Sequence, residues 1–233
     1  MNTSPRVIVA LDFPVVELAR HFVGRLDPKL CRLKVGITLF TQEGPAFVEE
    51  LMKQGFDVFL DLKFHDIPMQ VAGACKVAAE IGVWMMNVHT LGGKEMMLAA
   101  HEAIATYSPR PILLGVTILT SSTEEDLIPV GIEHPIKSLV PQLAKLAQRS
   151  GLDGVVCSSQ EALLLRETLD HSFILVTPGI RLPDDQADDQ KRILTPKAAV
   201  RAGADYLVIG RPITQAADPI AVLEKINHEI SES

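Results

Sequence analysis

Two carboxylates and a lysine stand close together in the segment Asp61-Leu62-Lys63-Phe64-His65-Asp66. A lysine flanked by carboxylates stays protonated, and its ammonium group can stabilise negative charge that develops on a nearby carbon and then deliver a proton to it. Charged groups are costly to bury unless they are paired, so protein cores seldom contain them. Asp61, Lys63 and Asp66 are therefore candidate catalytic residues.

Two further charged residues, Asp12 and Lys34, lie at or near the ends of short β-branched segments. Asp61 and Lys63 are two positions apart, which on a strand directs both side chains to one face, roughly 6.6 Å apart along the chain. A single inward Asp–Lys pair could be a structural salt bridge. Charged groups at the ends of three successive strands exceed what structural pairing requires, so we predict that all four residues share one active site.

The rest of the sequence predicts the elements that would position these residues. Short β-branched runs recur at intervals of roughly 25 residues, and segments with apolar residues at helical spacing separate them. Alternating strands and helices form a parallel sheet, and eight such units close into a (β/α)8 barrel, whose catalytic groups lie at the carboxyl ends of the strands. We predict an α/β protein with a single (β/α)8 barrel over residues 1–233. The predicted strands are Val7–Asp12, Arg32–Gly36, Val58–Lys63, Trp84–His89, Ile112–Leu119, Gly154–Ser158, Phe173–Thr177 and Tyr206–Gly210.

Two long segments interrupt this alternation, Arg181–Leu194 after the seventh strand and Thr120–Gly131 after the fifth. Long loops without secondary structure are uncommon in compact domains and are often lids over a binding site. We predict that both segments are irregular and that the first closes over a bound ligand. A merely solvated insertion is the alternative interpretation.

The composition favours a small substrate over nucleic acid or a membrane. The 233 residues carry a formal net charge of −7 without a block of Lys or Arg, whereas a nucleic-acid surface needs a basic stripe. The apolar run Val7–Leu11 is too short for a signal peptide, and no segment approaches the roughly 20 apolar residues of a membrane span. We expect a soluble, cytoplasmic protein.

The cysteines and histidines form no metal or redox motif. Cys31, Cys75 and Cys157 are odd in number and widely spaced, which favours buried thiols in a reducing compartment over disulfides or a zinc site. Neither an H-x-H nor an H-E-x-x-H spacing occurs. His65 and His89 are therefore interpreted as packing residues rather than ligands, and no metal site is expected.

The segment 61–66 is a D-x-K-x-x-D signature, and further motifs accompany it in order along nearly the whole chain. They are VALD at 9–12, RLKVG at 32–36, FLDLKFHDIP at 59–68, NVH at 87–89, DGVVCS at 153–158, VTPGIR at 176–181 and VIGRPIT at 208–214. Together they resemble the orotidine 5′-phosphate decarboxylase family. The resemblance implies a homodimeric lyase that converts orotidine 5′-phosphate to uridine 5′-phosphate (UMP) and CO2, the last step of de novo pyrimidine biosynthesis, without a metal or cofactor.

The resemblance also implies roles for the charged residues. Lys63 is expected to stabilise and protonate the carbanion at C6 of the pyrimidine, with Asp61 beside the departing carboxylate. Asp66 is expected to reach across a two-fold interface into the site of the partner subunit. Lys34 is expected to keep Lys63 charged and, with Asp12, to bind the ribose.

Two polar positions concern the pyrimidine and the ribose. Thr120 matches the family position that contacts the pyrimidine ring. Gln70 departs from the family pattern, because a threonine that binds the ribose of the neighbouring subunit usually stands there. Glutamine retains hydrogen-bonding capacity but is longer, so its role as a ligand stays open.

The C-terminal segment Gly210-Arg211-Pro212 has the features of a phosphate site. Glycine permits a close approach of the backbone to an anion, proline suits the first turn of a helix, and arginine adds a bidentate cation. The loops after strands seven and eight are the usual phosphate site of this fold. By resemblance, Arg181 and Gln190 contact the same phosphate.

Two other functions compete with this interpretation. The D-x-K-x-x-D signature also occurs in sister enzymes of the type of 3-keto-gulonate-phosphate decarboxylase and hexulose-phosphate synthase. These enzymes hold magnesium with a carboxylate at the end of strand two. Lys34 occupies that place here, and an ammonium group repels a divalent cation that needs oxygen ligands. A barrel that binds pyrimidine nucleotides without catalysis is the second alternative, but binding alone needs no buried lysine between carboxylates.

Overall fold

The computed structural model describes residues 4–182 and 194–231, and in these residues eight parallel strands form a closed barrel in sequence order. The first and last strands pair directly, with Ile8 opposite Val208, which closes the sheet without a free edge. The predicted (β/α)8 fold is therefore confirmed. The strands are β1 (Val7–Ala10), β2 (Arg32–Gly36), β3 (Val58–Phe64), β4 (Met85–His89), β5 (Ile112–Val116), β6 (Gly154–Val156), β7 (Ile174–Thr177) and β8 (Tyr206–Ile209).

Helices connect the strands, and their starts follow local sequence signals. Prolines at the first turn begin several of them, because proline has no N–H to leave unpaired and its φ suits a helix. The described helices are α1 (Val16–Val23), α2 (Ile37–Glu43), α3 (Pro45–Lys53), α4 (Pro68–Ile81), α5 (Gly93–Ile104), α6 (Glu124–Leu127), α7 (Ile136–Arg149), α8 (Ser159–Thr168), α9 (Pro196–Arg201), α10 (Arg211–Thr214) and α11 (Pro219–Ser231). No helix in residues 4–182 and 194–231 is long and apolar enough to cross a membrane.

The barrel interior is a packed apolar layer. Side chains from alternate positions of the strands fill it, and the fully buried members of this layer are Ile8, Ala10, Phe59, Met85, Leu114, Val176 and Val208. Alternation along β2, β3 and β4 then puts Lys34, Asp61 and Asn87 on the inward face at the carboxyl end. The charged residues therefore lie directly above this apolar layer, at the carboxyl end of the barrel.

The larger apolar layer lies between the sheet and the helices. The four clustered methionines, at positions 85, 86, 96 and 97, are all buried, as are Cys31, Cys75 and Cys157. Burial raises the pKa of the Cys31 thiol and of the Cys75 thiol to about 12, so these thiols stay protonated and unreactive. The interpretation of these residues as core is confirmed.

Several predicted boundaries are wrong by a few residues. Strand β1 ends at Ala10, so Asp12 lies on the following loop, and β5 ends at Val116 rather than Leu119, while Thr120 lies beyond the strand as predicted. The prediction that Thr120–Gly131 is irregular is also wrong, because it contains α6 and a 3-10 turn. A capping box between Thr123 and Asp126 begins this helix, and the prediction overlooked that signal. Positions 183–193, most of the other predicted loop, lie outside the described residues.

Gly154 in β6 provides a test of the barrel register. A Cβ at this position would stand 2.7 Å from the Cβ of Ile174 and would collide with the Ile174 carbonyl oxygen on β7. We expect Gly154→Ala to lower the free energy of unfolding by about 3 kcal/mol, because paired strands cannot separate without losing hydrogen bonds. Urea unfolding measures this.

Gly24→Ala is the matched control, because its added Cβ makes only ordinary contacts and its φ of −59° suits alanine. We expect it to be neutral or stabilising by about 0.4–1 kcal/mol. Equal stability of the two variants would contradict the observed β6–β7 packing.

Candidate active site

The carboxyl end of β3 departs from regular strand geometry. Leu60 pairs with Met86 and Phe64 pairs with Val88 on β4, so three residues of β3 stand opposite the single residue Asn87. Within this bulge Lys63 adopts a left-handed φ of 50°, a conformation that costs a non-glycine residue about 1–3 kcal/mol and persists where its surroundings hold it. The regular alternation predicted for Asp61 and Lys63 is therefore wrong.

The bulge nevertheless brings the two side chains into contact. Lys63 Nζ lies 2.7 Å from Asp61 Oδ1, and Lys34 Nζ lies 3.2 Å from Asp61 Oδ2. Lys34 Nζ also lies 3.1 Å from Asp12 Oδ1. The four groups form a chain of alternating sign, Lys63–Asp61–Lys34–Asp12, in which every charge has an opposite neighbour.

Exposure changes along this charged network. The side chains of Lys34 and Asp61 are 10% and 12% exposed, whereas those of Lys63 and Asp12 are 38% and 68% exposed. The buried middle fixes the geometry, and the two ends are open to the pocket. Lys63 and Asp12 are thus the members that a bound molecule reaches first.

The pKa values of the two buried members move apart. Burial alone would raise the pKa of Asp61, but the ammonium groups of Lys34 and Lys63 outweigh it and hold the pKa below its ordinary value. Burial alone would lower the pKa of Lys34, but the carboxylates of Asp61 and Asp12 hold it above its ordinary value. Both groups are therefore ionised at neutral pH.

A pocket of about 550 Å³ opens above the network. Thr120 on the loop after β5, Arg181 after β7, and Gly210 and Arg211 after β8 line its other walls. Apolar side chains from the barrel layer, including Phe59 and Val208, form the floor. This volume suits a small-molecule ligand, for which sites of roughly 300–1,000 Å³ are usual.

The structure brings most predicted site residues into this one pocket, with two exceptions. Gln190 lies outside the described residues. Asp66 is exposed, its Oδ1 accepts a hydrogen bond from the backbone N–H of Ile67 at 2.6 Å, and it takes part in no ion pair within residues 4–182 and 194–231. Asp66 is therefore not joined to the charged network of its own chain. Gln70 is also exposed, on the first turn of α4.

Asn87 is a site residue that the sequence analysis missed. It is fully buried, and its side chain contacts both Asp61 and the backbone of Lys63. The signal that could have revealed it is a polar residue within the otherwise apolar strand β4, at a position that faces the barrel interior. It was quoted above only as part of the NVH motif.

The two histidines near the site stack on each other, with ring centroids of His65 and His89 5.4 Å apart. Burial, with smaller contributions from His65 and Lys63, lowers the pKa of His89 to about 4, so it is neutral at physiological pH. Its Nδ1 accepts a hydrogen bond from the N–H of Leu91. Its role as a packing residue that satisfies a neighbouring turn agrees with the prediction.

Oxygen and nitrogen donors do not assemble into a metal site in the described part of the chain, where no group of three His, Cys, Asp or Glu side chains converges. The Lys34 ammonium itself lies between the carboxylates of Asp12 and Asp61. It occupies the position in which a cation bound by these two carboxylates would lie.

Fold and site together define a (β/α)8-barrel enzyme with an acid–base network at the carboxyl ends of its strands. A family model described as "Orotidine 5'-phosphate decarboxylase / HUMPS family" matches residues 5–226, and the chain belongs to this family.

Named relatives and a solved structure agree with this placement. The chain is 60% identical over 230 residues to "Orotidine 5'-phosphate decarboxylase" of Hydrogenovibrio crunogenus, which covers 99% of this chain and 98% of that protein. It is 56% identical to the protein of the same name from Coxiella burnetii, over 97% of each. The crystal structure of orotidine 5'-phosphate decarboxylase from Lactobacillus acidophilus superposes with a TM-score of 0.87 at 38% identity, covering 98% of this chain and 99% of that one.

The depressed pKa of Asp61 predicts a pH-dependent contribution to stability. A carboxylate whose pKa is lower in the folded state stabilises above its unfolded value, here 3.8, and loses that contribution as the pH falls through the folded pKa. We expect Asp61→Asn to lower the free energy of unfolding by about 3 kcal/mol at pH 7, because two ammonium groups lose their shared partner.

Urea unfolding of both proteins at pH 7 and at successively lower pH measures this difference. We expect it to be constant above about pH 5 and to shrink below the unfolded pKa. The matched control is Glu224→Gln, which alters an exposed carboxylate of α11, and there we expect little change at any pH. A pH-independent difference for Asp61→Asn would contradict the assigned ion pairs.

Proposed function

We propose that this chain catalyses the decarboxylation of orotidine 5′-phosphate to UMP and CO2, the last step of UMP biosynthesis, as a cytoplasmic enzyme without a metal or cofactor. The observation that carries the proposal is the 2.7 Å contact between Lys63 and Asp61 in a pocket that also contains Arg181 and Arg211. Relatives named for this reaction match nearly the full chain, which supports it.

The difficulty of the reaction lies at C6 of the pyrimidine. When the bond from C6 to the carboxylate breaks, CO2 leaves and the electron pair stays on C6, where the ring π-system cannot delocalise it. Many decarboxylases meet this need with a cofactor that accepts electrons. Here the Lys63 ammonium stabilises the negative charge and then donates its proton to C6, forming the C–H bond of UMP.

Asp61 gives Lys63 its position. The carboxylate holds the ammonium at 2.7 Å and is itself held by Lys34 from the other side. With substrate bound, Asp61 lies near the carboxylate that departs. Repulsion between two anions is present in the bound substrate and disappears when neutral CO2 forms, so it favours the transition state.

The phosphate supplies binding energy from a distance. Enzymes lower reaction barriers by roughly 8–23 kcal/mol, more than one ion pair provides. Arg181 and Arg211, with Gly210 and Gln190, bind the phosphate at the end of the pocket formed by the loops after β7 and β8. Energy from this remote contact is used to hold C6 against Lys63.

The ribose and the base lie between these two ends. Asp12 is the most exposed carboxylate of the network, and with Lys34 it binds the ribose hydroxyl groups. Thr120 lies on the opposite wall of the pocket and contacts the pyrimidine. These assignments orient the substrate with its phosphate toward Arg211 and its C6 toward Lys63.

Asp66 completes the site from the partner subunit of a homodimer. Three observations support this: Asp66 is exposed, it lies apart from the network of its own chain, and exposed apolar residues accompany it. Ile67, Met69 and Val77, on or beside α4, are 59%, 73% and 53% exposed. An apolar surface of this kind is typical of a protein interface.

Lys63→Ala tests the role of the ammonium group. We expect kcat to fall by about 10³-fold or more, since Lys63 both stabilises the carbanion and supplies the proton. We expect UMP to bind nearly as tightly as in the unaltered protein, because the phosphate and ribose contacts remain. The absorbance change of orotidine 5′-phosphate and calorimetric titration with UMP measure the two quantities.

The control for this experiment is Lys53→Ala, which removes an exposed lysine of α3 whose only described ion pair is with Glu49. We expect unchanged turnover. The unaltered protein is also assayed after exhaustive chelation, where we expect full activity. Activity that depends on magnesium would move the chain to the metal-dependent sisters, and an active Lys63→Ala variant would end the mechanism.

Co-expression of two inactive chains tests the shared site. One chain carries Lys63→Ala and the other Asp66→Ala, with different affinity tags. In a two-fold dimer with Asp66 acting in the partner's site, one site of each heterodimer contains both native residues. We expect random pairing to restore about a quarter of the native sites.

Each variant expressed alone is the control, and we expect both to be nearly inactive. A purified heterodimer without restored activity would show that Asp66 acts within its own chain, and an Asp66→Ala variant with full activity would show that Asp66 has no part in the reaction. Analytical ultracentrifugation of the same samples measures the oligomeric state. A monomer with full activity would contradict the shared site.

A further inference from the structure

Asn87 lies behind the charged network, on the inward face of β4. It is 0% exposed, and each end of its side-chain amide has a partner in the bulge of β3. Asn87 Oδ1 accepts a hydrogen bond from the backbone N–H of Lys63 at 2.7 Å. Asn87 Nδ2 donates to Asp61 Oδ1, also at 2.7 Å.

The first of these hydrogen bonds holds an unfavourable backbone conformation. In the bulge, the N–H of Lys63 cannot pair regularly with β4, because three residues face one. The left-handed φ of 50° at Lys63 turns this N–H toward the barrel interior, where Asn87 accepts it. The direction in which the Lys63 side chain leaves the backbone therefore depends on Asn87.

The second hydrogen bond orients the Asp61 carboxylate. Asp61 Oδ1 contacts both Lys63 Nζ and Asn87 Nδ2, while Asp61 Oδ2 faces Lys34. A carboxylate rotates readily about its last bond, and the amide of Asn87 defines which oxygen faces which lysine. One side chain thus fixes the two groups whose contact defines the site.

We propose that Asn87 is a positioning residue for the reaction, which holds the Lys63 backbone and the Asp61 carboxylate in their reactive arrangement. The inference deepens the proposed function and rests on it. Asparagine suits the task because its amide provides an acceptor and a donor at once. Leucine has a similar shape but provides neither group. Aspartate retains an acceptor but donates a hydrogen bond only when it is protonated.

The first test compares Asn87→Leu with Thr90→Val. Thr90 is equally buried, directly after β4, and its Oγ1 donates to the carbonyl oxygen of Val116 at 2.9 Å. Thr90→Val therefore removes one buried side-chain hydrogen bond near the site without touching the network. Both variants replace a polar side chain with an apolar one of similar size.

We expect Asn87→Leu to lower kcat by about 100-fold, since a displacement of about 1 Å of a catalytic group costs this much. We expect its affinity for UMP to change by less than about threefold, because the ribose and phosphate contacts are elsewhere. Thr90→Val is expected to keep kcat within about threefold. Comparable kcat losses in the two variants would mean that Asn87 serves only packing and would overturn the proposal.

The pH dependence of kcat in Asn87→Asp is a second readout, which a purely structural role of Asn87 would not change. It decides the question if Asn87→Leu does not fold. Two carboxylates at 61 and 87 would face each other, and such a pair raises the pKa of one member. Below that pKa the shared proton restores a donor toward Asp61. Above it, two anions repel each other and disturb Lys63.

We therefore expect the ratio of the kcat of Asn87→Asp to that of the unaltered protein to fall as the pH rises from about 5 to about 9. The charged and titratable groups nearest this pair are Lys34 and Lys63, which contact Asp61, and the stacked rings of His65 and His89. All four residues are present in both proteins, so the unaltered protein is the reference for them. A ratio that is constant and near one would overturn the proposal. An unaltered protein without activity on orotidine 5′-phosphate would instead refute the proposed function itself.

Discussion

The site depends on one carboxylate, that of Asp61, which serves two ammonium groups at once. One oxygen lies 2.7 Å from Lys63 Nζ and the other 3.2 Å from Lys34 Nζ. Burial of this carboxylate, which is 12% exposed, would raise its pKa, but the ammonium groups of Lys34 and Lys63 outweigh burial and hold the pKa below its ordinary value. Removal of Asp61 would leave Lys63 without an ion-pair partner in this network and the buried Lys34 with Asp12 alone. This one carboxylate therefore holds the network together.

Closure of the barrel makes that arrangement possible. Lys34, Asp61 and Asn87 come from the adjacent strands β2, β3 and β4, and the apolar layer beneath them provides a floor of low polarity in which charges interact strongly. Because β8 pairs with β1, the loops that carry Arg181 and Arg211 end beside the loop that carries Asp12. One rigid sheet thus holds the reactive end and the phosphate end of the pocket at a fixed separation. Binding energy gained at one end of the pocket can then hold a ligand in place at the other end.

The residue at position 34 on β2 sets the sign of the charge between Asp12 and Asp61. The Lys34 ammonium group lies within 3.1 Å of Asp12 and 3.2 Å of Asp61 and neutralises both carboxylates internally. An oxygen ligand at this position would produce the opposite result, a set of carboxylates that attracts a divalent cation. The same barrel and the same D-x-K-x-x-D segment can therefore serve either a charged network or a metal centre. The residue on strand two makes the difference, since it changes the sign of the charge there.

Much of the fold and of the site could be predicted from the sequence. The apolar periodicity that indicates strands and helices is a property of residues that are close together in the chain. Eight β-branched runs separated by helical patterns predicted the barrel, and the charges at Lys34, Asp61 and Lys63 predicted where its chemistry lies. The sequence alone did not reveal the bulge in β3, the left-handed φ of Lys63 or the part played by Asn87. These features were decided by the tertiary structure, because the conformation of a strand end depends on the hydrogen bonds that the adjacent strand, 24 residues further along the chain, offers to it.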